Sequence, residues 1–175
     1  MANIGTVYRA KKAASLANPT AAATFVQSDD STKAAAVYFP VLDSNVTSAA
    51  FAFRARGRAT TVGSHNVTPK VSYGVSVTAA SNTIIAAATA RACATTTSTW
   101  EIWGELIWNK TLKSLQGTFG AKNGSTIVVD GEAVLTAVPT SVDLTVAGKG
   151  LSVEITVATG GGDTAFLDEF VLEVL

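Results

Sequence analysis

The chain has one cysteine, one histidine, one methionine and four prolines in 175 residues. A single cysteine, Cys93, excludes an internal disulfide framework and a cysteine-built zinc site. Cys93 sits in "TARACATTT" among small and apolar residues, where a buried, inert thiol is expected. A lone histidine cannot anchor zinc without partners. Any Ser-His-Asp triad would have to pass through His65, which lies in a predicted loop, "VGSHNV". No serine stands in a nucleophile-elbow sequence. No apolar run approaches the ~18 residues of a membrane-spanning helix. The opening "MANIGTVYRAKKAASLANP" lacks the apolar core of a signal peptide. The missing signal core fits assembly inside a cytoplasm, and the lone thiol fits a reducing compartment.

Charge is scarce as well. Charged residues make up 15% of the chain, and thirteen Lys/Arg balance thirteen Asp/Glu. A net charge of zero gives the whole chain no pull on nucleic acid or an anionic membrane. The charges are unevenly placed, however. Residues 1–91 hold nine Lys/Arg against three Asp/Glu, and residues 92–175 hold four against ten. Such asymmetry is either internal, with one half pairing against the other strand to strand, or external, steering head-to-tail assembly.

What is present is a period of two. "FAFRARGR" puts Phe51, Phe53 and Ala55 on one face and Arg54, Arg56 and Arg58 on the other. "TWEIWGELIW" sets Trp100, Ile102, Leu106 and Trp108 against Glu101, Trp103 and Glu105. "KVSYGVSVT", "SVDLTVA", "LSVEITVAT" and "FLDEFVLEVL" alternate in the same way. Alternation with β-branched and aromatic residues predicts half-buried strands. Gly and Asn in "VGSHN", "ASN", "KNGS" and "TGGGD" supply turns, and Asn123-Gly124 predicts a hairpin. Pro40, Pro69 and Pro139 suit strand ends or edges. Before residue 34 the alternation fails. "YRAKKAASLANPTAAATF" predicts a short helix over Arg9 to Leu16, stopped at Asn18-Pro19.

These elements predict an all-β chain: a jelly-roll β-sandwich of about eight to ten antiparallel strands over residues 34–175, preceded by an extended N-terminal arm, residues 1–33. The arm is too poor in large apolar residues to fold alone and is expected to order by packing on something else. In a jelly roll the last strand lies in the sheet interior or beside the first long strand. Glu169 and Glu173 are then expected to answer Arg54, Arg56 and Arg58, with a neighbouring subunit's acids as the other source.

Catalytic constellations are absent from the pattern. Glu101 and Glu105 share a strand face, but their Cα atoms stand roughly 13 Å apart at ~3.3 Å per residue, wide for a glycosidase pair. Asp168 and Glu169 point to opposite faces. "TGGGDTAF" precedes a strand, whereas a phosphate loop precedes a helix, and Asp163 alone is too few donors for calcium. No enzyme activity, metal or cofactor is expected. Trp103, on a polar face, reads as a subunit-interface anchor or a sugar-stacking platform. The arginine run lacks the interleaved exposed aromatics of a single-stranded nucleic-acid surface.

The short arm before "SAAFAFRARGRATT", the central "TWEIWGEL" and the closing "LSVEITVATGGGDTAFLDEFVLEVL" together resemble the jelly-roll virion proteins of tailed bacteriophages, in particular capsid decoration or cement proteins. The resemblance spans about residues 34–175. It implies a non-enzymatic protein on the outer capsid surface that staples neighbouring capsomers, often as a homotrimer. The partners implied are the major capsid protein and copies of the chain itself, with no nucleic acid and no membrane. The candidate interface residues are Tyr8, Arg9, Lys11, Lys12, Arg54, Arg56, Arg58 and Trp103. A carbohydrate- or receptor-binding jelly-roll module of a phage tail or fibre protein is the alternative.

Overall fold

The computed structural model describes residues 6–93, 97–158 and 161–175. They form two antiparallel sheets packed face to face, a jelly-roll type of sandwich. Eight strands have five residues or more: β5 (Ser48–Thr60), β6 (Asn66–Tyr73), β7 (Thr83–Ala87), β9 (Ser98–Asn109), β10 (Ser114–Asn123), β11 (Thr126–Val134), β12 (Gly150–Val157) and β13 (Thr164–Val174). Five short pieces complete them: β1 (Val7–Arg9), β2 (Leu16–Ala17), β3 (Ala23–Thr24), β4 (Val37–Tyr38) and β8 (Arg91–Ala92). The larger sheet runs β1-β13-β5-β9-β10-β11, with β2 also on β13. The smaller runs β3-β12-β6-β7, with β4 on β12 and β8 on β6. The last strand therefore lies beside the first long strand, as expected.

Alternation fixes the inner face. Phe51, Phe53, Ala55, Trp100, Ile102, Leu106, Trp108, Phe170, Leu172 and Val174 are all buried between the sheets. Along β5 the inward residues shrink from Phe51 and Phe53 to Ala55, Gly57 and Ala59. The reason is Trp100, paired directly opposite Gly57. A Cβ on Gly57 would stand 2.4 Å from the Trp100 ring and 2.0 Å from the Phe166 carbonyl oxygen. The small residues make the space that the indole fills, and close packing leaves no slack there. Gly124, at φ +61°, turns β10 into β11 where the Asn-Gly pair predicts a hairpin.

Several local expectations fail for physical reasons. The helix over Arg9 to Leu16 is absent. That segment is β1, an isolated bridge from Ala13 to Gln27, and β2. One turn or two of alanine-rich helix is marginal in water, whereas the free edge of β13 offers ladder partners to β1 and β2. β3 adds to β12 in the other sheet, and the fully buried Phe25 stacks on Trp100 at 6.3 Å. From residue 6 on, the expected arm is thus woven into both sheets of its own sandwich.

"KVSYGVSVT" stops being a strand at Tyr73. Gly74 takes φ +131°, and Asn82 accepts from the Ser76 N–H and donates to the Ser76 carbonyl, curling the chain away. "SVDLTVA" forms no strand. Ser141 has φ +61°, and the Asp143 carboxylate accepts from both the N–H and the hydroxyl of Thr145, a local bond that displaces ladder pairing. Val142 and Leu144 are nevertheless fully buried. "LSVEITVAT" alternates in sequence but is covered on both sides: Ser152 and Glu154 are as buried as Val153 and Ile155. Pro69 lies inside β6, between two sheet neighbours. It sits where the β6 partner changes from β7 to β8, and its carbonyl accepts from Ala88.

Candidate interaction surface

The outer face of the larger sheet collects most of the residues singled out from the sequence. Strand order sets β1, β13, β5 and β9 side by side, so register alone builds rows across the sheet. Arg9 pairs with Val171, Val171 with Arg54, and Arg54 with Trp103. The next row runs Glu169, Arg56, Glu101, Lys122.

Glu169 is the centre of this face. Its carboxylate meets three arginines: Arg9 Nη1 at 2.8 Å, Arg54 Nη2 at 3.1 Å and Arg56 Nε at 2.9 Å. The Glu169 side chain is 16% exposed, and those of the arginines between 46% and 67%. Burial pushes the Glu169 carboxyl upward. The Arg9 hydrogen bond and the fields of Arg56, Arg54 and Arg9 outweigh it and hold the group below the usual carboxylate range.

Arg58 turns to Asp168 instead. Its Nε reaches Asp168 Oδ2 at 2.9 Å and its Nη2 reaches Oδ1 at 2.9 Å, a two-pronged geometry. The hydrogen bond to Asp168, then its charge, raises the Arg58 pKa further. The guanidinium carbon also lies 4.9 Å from the Phe166 ring centre. A register shift between Leu167 and Glu169 leaves Asp168 without a partner on β5. That bulge lets two successive acids serve the same arginine ladder. The expected pairing of Glu169 with Arg54 and Arg56 is there. The expected pairing of Glu173 is not, for Glu173 lies opposite Ala52 and, among the described residues, joins no ion pair. Arg58 is answered by Asp168, which the sequence pattern left out.

Trp103 is half-buried on the same face. Its ring lies over Gly120, where a Cβ would come within 2.5 Å of it, and its Nε1 approaches Gly131. Lys122 Nζ stands 5.7 Å from the ring centre and 3.2 Å from Glu101. Beside the indole is a shallow hollow formed with Ala52, Gly104, Glu105, Thr118 and Gly131. Lys11 and Lys12 are exposed and line a second hollow with Arg9, Arg56, Asp168 and Glu169. Tyr8 is the exception. It pairs with Leu172 and packs against the core, off this face.

One polar cluster escapes a reading of the sequence as loops. Asp163 is 1% exposed and accepts from the Val62 N–H at 2.9 Å, with His65 Nδ1 2.7 Å from its other oxygen. Asn18 Oδ1 accepts from the N–H groups of Gly162 and Asp163. Together they knot the N-terminal strap, the segment before residue 34 that carries β1, β2 and β3, to the loop after β5 and the turn before β13. The buried Thr61 hydroxyl in the same loop donates to the Gly63 carbonyl at 2.6 Å, so it serves the turn. The signal was indirect: once β13 pairs with β5 through Thr60 and Thr164, the loops holding His65 and Asp163 must meet. Among the described residues no group of three or more His, Cys, Asp or Glu is disposed to hold a metal ion.

No family model matches the chain, and no curated protein matches it. Among solved structures, peanut lectin with a nine-residue peptide (PVIWSSATG) is similar at 9% identity, covering 94% of this chain and 99% of that one, with a TM-score of 0.31.

Proposed function

We propose that this chain is a non-enzymatic virion structural protein, a capsid decoration or cement protein that docks on an outer shell and staples neighbouring capsomers. The observation that supports this reading is the outer face of the larger sheet. Seven of the eight candidate interface residues, all but Tyr8, lie on that face or on the strap at its edge. Arginine and tryptophan are the side chains that most often anchor protein interfaces, and here a rigid sheet holds them. The partners in this reading are the major capsid protein and copies of the chain itself, assembled in the host cytoplasm and carried on the capsid surface.

The test is co-sedimentation of purified protein with shells that lack it. Wild type is expected to pellet with the shells. R54E/R56E and W103A are expected to stay in the supernatant while remaining folded, each with a lowered melting temperature because the Glu169 pairs or the Trp103 packing are lost. Wild type that never pellets would sink the reading.

The Trp103 hollow favours a second reading, a carbohydrate- or receptor-binding module. An indole beside Glu105 and Thr118 offers apolar contact and hydrogen bonds of the kind sugars use. Glycan-array binding lost in W103A supports it, and silence of the array removes it.

A further inference from the structure

The basic charge of the strap edge is not neutralised where it stands. One carboxylate, Glu169, serves three arginines. Each guanidinium has five N–H donors in a fixed fork, and Arg9, Arg54 and Arg56 each touch Glu169 through a single nitrogen. Most of their donors remain for another anion. Lys11 stands 3.8 Å from Asp29, with both side chains about two-thirds exposed, a pair of little strength. Lys12, among the described residues, joins no ion pair. Arg9, Lys11, Lys12 and Arg56 line one hollow together with Asp168 and Glu169, four cations against two carboxylates.

The opposite edge of the same sheet carries the matching surplus. In β11 the pairing jumps from Val129↔Ala121 to Ala133↔Phe119, so Asp130, Gly131 and Glu132 stand against Gly120 alone. That bulge bends the edge strand and breaks its ladder. Asp130 and Glu132 are exposed, and among the described residues neither joins an ion pair. A bulged, acidic edge resists addition of a further strand. What it offers a partner is carboxylates.

We propose that the anion taken by the strap hollow is the acidic β11 bulge of a second copy of this chain. The contact is heterologous: the basic edge of one sheet meets the acidic edge of the next. Such contacts close into rings or run on as filaments. Charge complementarity carries the choice of occupant. The N-terminal half of the chain is as basic as the C-terminal half is acidic, and the sum is zero. Nucleic acid fits less well. Glu173 and Glu105 flank Ala52 in the row beside Arg54, so a phosphate chain leaving the hollow across the sheet would meet carboxylates. The proposal rests on the reading of this face as a docking surface and names what occupies one edge of it.

The experiment is sedimentation of the full chain at low and at high salt. Wild type is expected to self-associate at 50 mM salt and at least ~10-fold more weakly at 500 mM, because the screening length falls from above ~10 Å to about 4 Å. K11E/K12E and D130K/E132K are each expected to be monomeric with unchanged melting temperature. The combined variant, K11E/K12E/D130K/E132K, restores the complementary charges in exchanged places and is expected to recover association. The milder K11Q/K12Q and D130N/E132Q pairs should weaken it in the same direction. Wild type that is monomeric at 50 mM salt overturns the inference, as does assembly indifferent to either reversal. Tight binding of a single-stranded oligonucleotide in the hollow, blocked by K11E/K12E, overturns it too. Shell co-sedimentation that survives D130K/E132K leaves the docking reading standing, so the two failures are told apart.

Discussion

Arg9 and Glu169 are 160 residues apart in sequence, and their side chains meet at 2.8 Å. Arg54 and Arg56 close on the same carboxylate from the other side. This one group ties the N-terminal strap, the first long strand and the last strand together.

Glu169 should therefore make stability depend on acid. Its folded-state pKa is lowered, so its contribution is fully present above the ordinary carboxylate pKa of ~4.3 and is lost as pH falls through the lower, folded value. Thermal melts between pH 7 and pH 2.5 should show wild type losing more than E169Q over that acidic window. At neutral pH, E169Q should cost about 1 kcal/mol, since exposed arginines hold the pair in a screened setting.

Phe25 belongs to the core, although the sequence placed it in an arm. It is fully buried against Trp100. F25A should cost about 3–5 kcal/mol in chemical denaturation, the usual range for emptying a phenylalanine site. Wild-type stability in F25A would mean that the strap does not complete the sandwich.

Gly57 tolerates no side chain without movement. G57A puts a methyl group within 2.4 Å of the Trp100 ring and 2.0 Å of a backbone oxygen. A loss of about 3 kcal/mol is expected, together with a shift in tryptophan fluorescence as Trp100 is displaced.

Asp163 holds the knot at one end of the sandwich. D163A strands the Val62 N–H and frees His65. The Val62 N–H is part-buried, so stranding it should cost about 1 kcal/mol, the low end for a lost partner. Amide exchange should quicken first in residues 61–65 and around Asn18, whose N–H donates to the Asp163 carbonyl, before the central strands respond.

Cys93 should react slowly. Burial pushes its thiol pKa up, against the smaller opposing pulls of the Ser98 hydrogen bond and Arg91, so less thiolate forms at neutral pH. Modification by an aromatic disulfide reagent is expected to be slower than in denatured protein by ~100-fold, the protection given by an opening that costs about 3 kcal/mol.

Much of this structure was legible without coordinates. Alternation in "FAFRARGR" and "TWEIWGELIW" assigned Phe51, Phe53, Trp100 and Trp108 inward and the arginines and Trp103 outward. The side-chain period of a strand allows little else. Placing the last strand beside the first long one was enough to bring Glu169 to the arginines. "SVDLTVA" had the same period and formed no strand, because Asp143 bonds its own neighbour. Periodicity reports which residues are buried, and Val142 and Leu144 are, but it does not report what pairs with their backbone.

The sequence by itself determined the inward and outward faces, the hairpin at Asn123-Gly124 and the unequal charge of the two halves, since these follow from residue order and local conformation. Tertiary structure alone decided the rest. The strap forms strands because β12 and β13 had free edges to offer it. Asp168 reaches Arg58 because a bulge shifts the register. His65 meets Asp163, 98 residues away, because two paired strands bring their end loops together. Each is a long-range contact, and no local pattern encodes its partner.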